Sequence, residues 1–149
     1  MAEIKILIEP YSAAYLTFHA FNKTGRKVGA AILYVLYRGR LAQLHEVRTE
    51  AFGGKGSGAA QELIKARVAH AFENNPGCRH VEVMLPHDLG QKEQKEKLLR
   101  VKRRYGAFGF RTAGAVNIMK LTRSNYERLK PSGIYEHELI AEQPMPRKP

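Results

Sequence analysis

Cysteine is nearly absent from this chain of 149 residues, since Cys78 is its only one. A single cysteine excludes an intrachain disulfide and a metal centre built on a cysteine cluster, so we expect no metal. It also favours a reducing, cytoplasmic setting. No apolar run approaches the length of about 18 residues that a membrane-spanning helix needs, and Met1 to Lys5 lack the layout of a signal peptide. We therefore expect a cytoplasmic protein without a membrane partner.

Acidic residues are scarce too, with 14 Asp and Glu against 25 Lys and Arg and a net charge of +11. Such an excess raises the local concentration of polyanions around a protein. The candidates are nucleic acid, an anionic cofactor and an acidic partner protein, although general solubility would explain the charge as well. The length and a hydrophobic content of 44% indicate one folded domain with a core of its own.

The most informative stretch is rich in glycine and runs from Gly53 to Gly58. Strand-like alternation from Leu41 to Glu50 precedes it, and a helical apolar face follows it at once. A strand, a glycine loop and a helix in this order point backbone N–H groups at a phosphate. The stretch is not a Walker loop, because Ala59 and Ala60 stand where Lys and Ser or Thr are required, and its glycine spacing is wrong for a dinucleotide fingerprint. A plain connecting loop is the alternative.

Alternation and turn residues predict the remaining elements. We expect a turn at Glu9 to Ser12, and a helix from Ser124 to Lys130 with Ser124 as its N-cap. The fold class is α/β, with antiparallel N-terminal strands, a βαβ crossover and a C-terminal hairpin in one mixed sheet. Residues 1–123 form the domain, and residues 124–149 form an extension whose tail, from about residue 143, is expected to be disordered. The expected strands are 3–9, 15–21, 28–37, 41–50, 81–85, a hairpin within 111–122 and an edge strand at 134–140; the other expected helices start near residues 57 and 91.

The second of these helices, from Gln91 to about Tyr105, is strongly basic. Seven Lys or Arg and two Glu fall between Gln91 and Arg104. A solvated helix face is the ordinary explanation of such a run, but the balance is steep enough to indicate a weak polyanion surface. The helix lacks interleaved aromatic residues for base stacking, which argues against a dedicated single-strand binder.

Three motifs in order resemble those of the GNAT superfamily of acyl-CoA N-acyltransferases. The glycine loop is similar to the family's pyrophosphate loop, except that Gly53 replaces its first Arg or Gln. A Tyr at the end of the next helix, followed by Gly-Phe, is matched by Tyr105, Gly109 and Phe110. The closing family hairpin resembles residues 110–123. The resemblance covers roughly residues 28–123.

This resemblance implies a GNAT-like fold and a transfer of an acyl group, most often acetyl, from acyl-CoA to an amine. It implies that Tyr105 donates a proton to the departing thiolate, with a core tyrosine as the alternative. For the general base it suggests Glu46, with Glu50 and His45 as alternatives, and His87 and Asp88 as further candidates for lining the cleft. The residues expected to hold acetyl-CoA are Val47, Arg48, Gly53, Gly54, Lys55, Gly56, Ser57, Gly58 and Ala59.

The chain also departs from the family pattern. The two helices that usually roof the acceptor site are missing, because only Pro10 to Ala14 stand between the first two strands, and one residue is inserted between Val47 and the loop relative to the family pattern. The acceptor amine therefore stays unknown; the basic surface disfavours a small polycation and favours an amine on or near a nucleic acid. A GNAT-like module that binds nucleic acid or an acidic protein without turnover is the alternative function. A homodimer also stays open.

Overall fold

A computed structural model describes residues 3–49, 53–54, 56–85, 92–112 and 117–145, apart from the side chains of residues 46 and 92–94. The helices α1, α2 and α3 span Ala59–Asn74, Lys92–Gly106 and Arg123–Leu129. The strands are β1 (Lys5–Ser12), β2 (Tyr15–Phe21), β3 (Lys27–Leu36), β4 (Leu41–Arg48), β5 (His80–Met84), β6 (Arg111–Thr112), β7 (Ile118–Thr122) and β8 (Glu138–Glu142).

Within the described residues the strands form one eight-stranded mixed sheet in the order β6-β7-β5-β4-β3-β2-β1-β8. Strands β1 to β4 are antiparallel neighbours, and β6 and β7 form the predicted closing hairpin. Strand β4 runs parallel to β5, and α1 connects the two as the predicted βαβ crossover. Strand β8 is parallel to β1 and extends the sheet beyond it.

The core lies on one face of this sheet, between the strands and the helices. Alternate residues of β1 and β2, such as Ile6 and Phe18, are fully buried against α1, whose inner face includes Leu63 and Ile64. The end of α2 joins the same core through Phe108. The residues that alternate with these core positions lie half-exposed on the opposite face, and none of the helices in the described ranges packs there.

The residues after 123, which we expected to form an extension, contribute α3 and β8 to this architecture. In α3, Tyr126 stacks on Phe72 of α1 at 4.5 Å between ring centroids. The helix starts one residue earlier than expected and its N-cap is Thr122 rather than Ser124, because the Thr122 side chain accepts the hydrogen bond from the Asn125 N–H. Gln143, at the expected start of the disordered tail, donates its N–H to the Ile8 carbonyl.

The predicted turn at Glu9 to Ser12 is wrong, because β1 continues to Ser12 and the chain reverses at Ala13 and Ala14. Proline suggested a turn because it lacks an N–H. Here Pro10 pairs with β2 on one side, whereas the pairing of β1 with β8 ends at Ile8 on the other. A proline is tolerated in a strand where that edge needs no donor.

Candidate functional site

Strands β4 and β5 pair only over half of β4 and then separate. The last pair joins Leu44 to Val83, yet β4 continues to Arg48. Strand β5 stays with β7 up to the pair of Met84 and Ile118. The edge of β4 beyond Leu44 therefore faces a cleft in which no described strand pairs with it. An extended ligand can bind such an edge by pairing with its backbone groups.

A β-bulge shapes β4 just beyond this separation point. His45 lies opposite Ile32, and the next pair of residues across β3 and β4 is Arg48 and Ala30. From His45 to Arg48 the chain advances three residues on β4, whereas the matching stretch of β3 advances only two. Strand β4 therefore contains one extra residue, in the segment formed by Glu46 and Val47. The sequence suggested an extra residue after Val47, and the structure places it before Arg48. Bulges of this kind redirect a strand and commonly lie beside functional sites.

The glycine loop follows β4 and leads into α1. Gly53, Gly56 and Gly58 have φ of 66°, 81° and 87°, in the left-handed region that favours glycine. Gly54 is needed for a different reason, because a Cβ there would collide with the backbone carbonyl of Val28. At Gly56 and Gly58, by contrast, none of the described residues other than the chain neighbours comes within 4 Å of an added Cβ. The loop thus packs on β3 through Gly54 and leaves space beside Gly56 and Gly58.

Several expected phosphate ligands of this loop already have internal partners. The Gly54 N–H donates to the Thr49 carbonyl at 2.7 Å, and the Ser57 N–H donates to the Gly54 carbonyl at 3.0 Å. The Ala59 N–H donates to Ser57 Oγ at 3.2 Å. An α-helix leaves the N–H groups of its first turn without helical partners, and these carry the positive end of the helix dipole. The loop therefore presents its anion-binding potential at the start of α1.

Tyr105 lies in the last turn of α2 and is buried, with 6% of its surface exposed. Its carbonyl accepts the N–H groups of Phe108 and Phe110, and its ring packs edge-on against Phe110. Gly109 completes the turn at φ 93°, where a Cβ would overlap the Leu129 side chain. This explains the Tyr and Gly-Phe pattern in the sequence: the turn requires Gly109 and buries Tyr105 beside α1.

Tyr105 lies next to Arg67 of α1, which is fully buried. The Arg67 Nη1 group donates to the carbonyls of Ile32 and His45, at the β-bulge, and Nε donates to the Leu63 carbonyl. Burial lowers the pKa of Arg67, and the neighbouring Tyr105 opposes that shift by its charge and by hydrogen bonding. Tyr105 and Arg67 thus sit on the helical side of the sheet, behind the point where β4 separates from β5.

His45 lies at the same point on the opposite, open face of the sheet. Its ring packs edge-on against Tyr34, and its Nε2 pairs with Gln43 Oε1 at 3.1 Å. Gln43 in turn donates Nε2 to Glu82 Oε1 at 2.6 Å. Since the Glu82 carboxylate only accepts, the Gln43 amide oxygen must face His45, so His45 Nε2 carries a proton. The Nδ1 atom of a neutral His45 ring is then left as an acceptor.

Other predicted site residues lie beside this cleft or outside the described residues. Val47 packs against the core, and Arg48 is exposed at the end of β4. Cys78, to which no role was assigned, is buried, and its burial raises the pKa of its thiol. The candidates Glu50, Lys55, His87 and Asp88 fall outside the described residues, as does the side chain of Glu46.

The described part of the chain lacks both a metal-binding cluster and a membrane-spanning helix. In that part, no three His, Cys, Asp or Glu side chains are grouped so that they could hold a metal ion. None of its helices is both long and apolar enough to cross a membrane.

Comparison with known proteins was informative at the level of structure only. No family model matches the chain, and no curated protein matches its sequence. The aminoglycoside acetyltransferase AAC(6')-Ib, solved with coenzyme A and kanamycin, superposes with a TM-score of 0.60 and 21% identity, over 78% of this chain and 72% of its own. A spermidine N-acetyltransferase from Vibrio cholerae, solved with CoA and spermine, superposes with a TM-score of 0.60 and 16% identity, over 77% and 69%. This chain has the GNAT fold.

The GNAT fold expected from the three motifs is thereby confirmed, including its mixed sheet. The expected lack of the acceptor-roof helices also agrees with the structure, since the connection from β1 to β2 is the two-residue turn at Ala13 and Ala14. The open face of the sheet carries Tyr15, Tyr34 and His45, whose neighbouring rings pack edge-on in a row.

Sequence reasoning missed two residues of this site in the GNAT fold. Arg67 falls within the apolar helical stretch and was not assigned a role, although a buried position on the inner face of α1 could be read from its spacing of four from Leu63. Glu82 alternates with the apolar residues Val81 and Val83 of β5 and is nevertheless buried, with 9% exposed. Its partner Gln43 is 39 residues away, which no local pattern reveals.

Proposed function

We propose that the protein transfers an acyl group, most commonly acetyl, from acyl-CoA to an amine. One observation supports this more than any other. The separation of β4 from β5 beyond Leu44 and Val83 opens a cleft that has Tyr105 behind it and the glycine loop at its end. A cleft of this form fits a long, extended molecule with a phosphate at one end and a reactive group at the other.

In this proposal the coenzyme binds along β4 and the glycine loop. Its pyrophosphate lies at the start of α1, and its pantetheine amides pair with the β4 edge near Val47 and Arg48. The left-handed Gly56 and Gly58, with open space beside them, allow the phosphate to approach the backbone closely. The full proposed set is Val47, Arg48, Gly53, Gly54, Lys55, Gly56, Ser57, Gly58 and Ala59.

The proposed reaction is a direct attack of the amine on the thioester. The amine nitrogen forms a bond to the carbonyl carbon and loses a proton to a base, and the C–S bond breaks with its electron pair left on sulfur. Tyr105 then gives its hydroxyl proton to the thiolate. Glu46 remains our candidate base from the sequence. His45 is the alternative that the geometry supports, because its Nδ1 atom is an acceptor on the open face beside the separation point.

The acceptor is proposed to be an amine carried on or near a polyanion. Kanamycin and spermine, bound in the two related structures, are polycations. A net charge of +11 repels such molecules. The exposed side chains of Lys95, Arg103 and Arg104 on α2 add to a surface that attracts phosphates instead. An open sheet face without roof helices leaves room for a large acceptor.

The experiment that tests this function measures the thiol released from acetyl-CoA in the presence of different amines. The panel includes spermine, kanamycin, lysine peptides and amines attached to RNA, with amine-free reactions as the baseline. We expect release above the baseline with a macromolecular amine and not with spermine. If acetyl-CoA binds but no amine accelerates release, the protein is instead the non-catalytic binding module that the sequence left as an alternative.

A further inference from the structure

Arg67 is a buried cation for which the described residues supply no carboxylate. Its exposed fraction is 0%, and among the side chains that the structure describes Tyr105 is the one that acts on its charge. Its Nη2 atom is buried without a hydrogen-bond partner of good geometry in the described ranges. Buried charges in proteins are normally paired and their N–H groups satisfied, because an unpaired one costs several kcal/mol. Within the described residues, the backbone carbonyls around Arg67 therefore leave its charge and one of its N–H groups unpaired.

The position of Arg67 in the fold suggests which group its unpaired charge acts on. Its guanidinium binds the carbonyl of His45, the first residue of β4 beyond the last pair with β5. Tyr105 approaches the same guanidinium from α2. The Arg67 guanidinium therefore lies where the cleft begins, near the Tyr105 side chain that we propose as the proton donor.

The donor and acceptor chemistry of the two side chains fixes the direction of the tyrosine proton. A guanidinium can only donate hydrogen bonds, so Tyr105 Oη must act as the acceptor towards Arg67. The hydroxyl hydrogen of Tyr105 is then turned away from Arg67. That leaves the hydrogen free to point towards the sulfur of a coenzyme bound in the proposed cleft.

We propose that Arg67 is a positioning residue that aims the Tyr105 hydroxyl at the coenzyme sulfur and stabilises the negative charge that appears there. This proposal rests on the coenzyme site proposed above. In the reaction the C–S bond breaks, its electron pair stays on sulfur, and the proton moves from Tyr105 Oη to sulfur. The resulting tyrosine oxyanion lies against the fixed positive charge of Arg67 until solvent returns a proton. Preorganised charge of this kind is worth most in a buried site.

The product coenzyme A gives a test that needs no acceptor. Its free thiol titrates near the usual thiol pKa of about 8.5. If Arg67 and Tyr105 favour the thiolate, the pKa of the bound thiol is lower than that of the free one. Affinity for coenzyme A then rises with pH between the two values and is constant outside them. Desulfo-coenzyme A, which lacks the sulfur, shows no such rise and serves as the matched ligand.

Three titratable side chains near α1, those of His45, His70 and Glu73, have partners away from Arg67. The His45 ring lies on the opposite face of the sheet, and its carbonyl alone contacts Arg67. His70 pairs with Glu142 of β8, and Glu73 pairs with Tyr126 and Lys130 at the far end of α1. Their titration changes the binding of both ligands alike, so the ratio of the two affinities removes it.

The experiment measures both affinities over a pH series in the unmodified protein, in Arg67→Gln and in Arg67→Lys. Above the pKa of the free thiol, we expect the affinity of the unmodified protein for coenzyme A, relative to desulfo-coenzyme A, to be higher than in acid. The increase is about tenfold for each unit by which binding lowers the thiol pKa. Arg67→Gln abolishes that increase and leaves desulfo-coenzyme A binding within about twofold, whereas Arg67→Lys restores part of it. Arg123→Gln is the control, because Arg123 also donates to three backbone carbonyls but lies elsewhere.

The possible outcomes distinguish the proposed role of Arg67 from the proposed coenzyme site. Equal, pH-independent binding of the two ligands by the unmodified protein overturns the role of Arg67 and leaves the coenzyme site standing. An equal loss of both ligands in Arg67→Gln does the same, since it marks a structural role. Failure of the unmodified protein to bind either ligand overturns the coenzyme site and this proposal together. If Arg67→Gln does not fold, the pH series on the unmodified protein and on Tyr105→Phe decides.

Discussion

At the scale of single residues, the site depends on residues that cannot replace one another. Gly54 leaves room for the Val28 carbonyl, and Gly56 adopts a left-handed backbone beside open space. Tyr105 brings a hydroxyl into a buried position next to a cation. These roles lead to two predictions for substitutions that keep the core intact.

Tyr105→Phe keeps the ring and its contact with Phe110 and removes only the hydroxyl. We expect turnover to fall by about 10²–10⁴-fold, the usual effect of losing one proton-transfer group, with little change in melting temperature. Tyr135→Phe is the matched control, since it also removes a buried hydroxyl, one that donates to the Phe108 carbonyl at 2.6 Å. It should cost about 1 kcal/mol of stability and leave turnover unchanged. Normal turnover by the Tyr105→Phe variant would show that Tyr105 is a structural residue.

Gly56→Val places a β-branched side chain in the space that we assign to the pyrophosphate. The positive φ of 81° costs about 1–2 kcal/mol for a residue with a Cβ, so the variant should fold with modestly reduced stability. Acetyl-CoA binding, measured by calorimetry, should be lost. Gly133→Val is the control, because Gly133 has nearly the same φ of 82° and follows α3, away from the loop. Unchanged acetyl-CoA affinity in a folded Gly56→Val variant would falsify the assignment.

The residue scale is also where prediction from the sequence reached its limits. The Tyr and Gly-Phe pattern identified Tyr105 because Gly109 is needed for one local turn. Arg67 and Glu82 gave no such signal, because their partners, His45 and Gln43, come from other strands. A local pattern shows that a position faces the core, but not which distant polar group meets it there.

At the scale of elements, α3 docks on α1 through a polar cluster at the edge of the core. Tyr126 donates to Glu73 Oε2 at 2.7 Å and Lys130 donates to the same oxygen at 2.9 Å. These two donors, Lys130 first, hold the pKa of the Glu73 carboxyl below its usual range. Burial, and after it the hydrogen bond to the same carboxylate, raises the pKa of Tyr126.

The lowered pKa of Glu73 predicts a pH-dependent contribution to stability. A carboxyl with a lowered folded-state pKa stabilises the fold above its ordinary pKa of about 4.3, and this contribution is lost as pH falls through the lowered value. Glu73→Gln should therefore reduce the free energy of unfolding near neutral pH, and the difference should shrink in acid. Urea titrations at neutral and at acidic pH measure this difference in the free energy of unfolding. Glu127→Gln, which breaks an exposed pair with Arg123, is the control and should change the free energy of unfolding little at either pH. A Glu73→Gln deficit that persists in acid contradicts this assignment.

Helix α2 carries the prediction about polyanions. If its basic face meets a nucleic-acid backbone, binding must weaken steeply with salt and depend little on sequence, because each neutralised phosphate releases counterions. Changing Lys95, Arg103 and Arg104 to Glu should weaken RNA binding and leave acetyl-CoA affinity unchanged. Changing Lys23, Arg79 and Arg128 to Glu alters the net charge equally on other exposed sites. No RNA binding by the unmodified protein at low salt, or equal losses in both triple variants, rules out a specific role for α2.

The elements show why some boundaries could be predicted and others could not. Alternation placed β2 correctly from Tyr15 to Phe21, since each of its faces has a distinct environment. The edge strand expected at 134–140 is instead β8 at Glu138–Glu142, where all five residues are exposed and no alternation marks the pairing. The continuation of β1 through Pro10 depends on where β8 stops, and this is set by tertiary structure and not by the local sequence.

At the scale of the whole molecule, the sheet has one face covered by helices and one face open. The covered face holds Arg67 and Tyr105, and the open face holds His45 with its link through Gln43 to Glu82. The two groups meet where β4 leaves β5, so the proton donor and the alternative base that we propose lie on opposite faces of the sheet at one point. Three motifs in the sequence were enough to predict the GNAT fold, but the open face followed from the short connection at Ala13 and Ala14.

The measurement that tests the central claim most directly is the melting temperature with and without acetyl-CoA. A ligand that binds only the folded state stabilises it by about 2.7 kcal/mol at a hundredfold excess over its dissociation constant. For a domain of this size that corresponds to a rise of about 5–10 °C. We predict such a rise for the unmodified protein and none for Gly56→Val. An unchanged melting temperature of the unmodified protein at saturating acetyl-CoA would contradict the proposed coenzyme site.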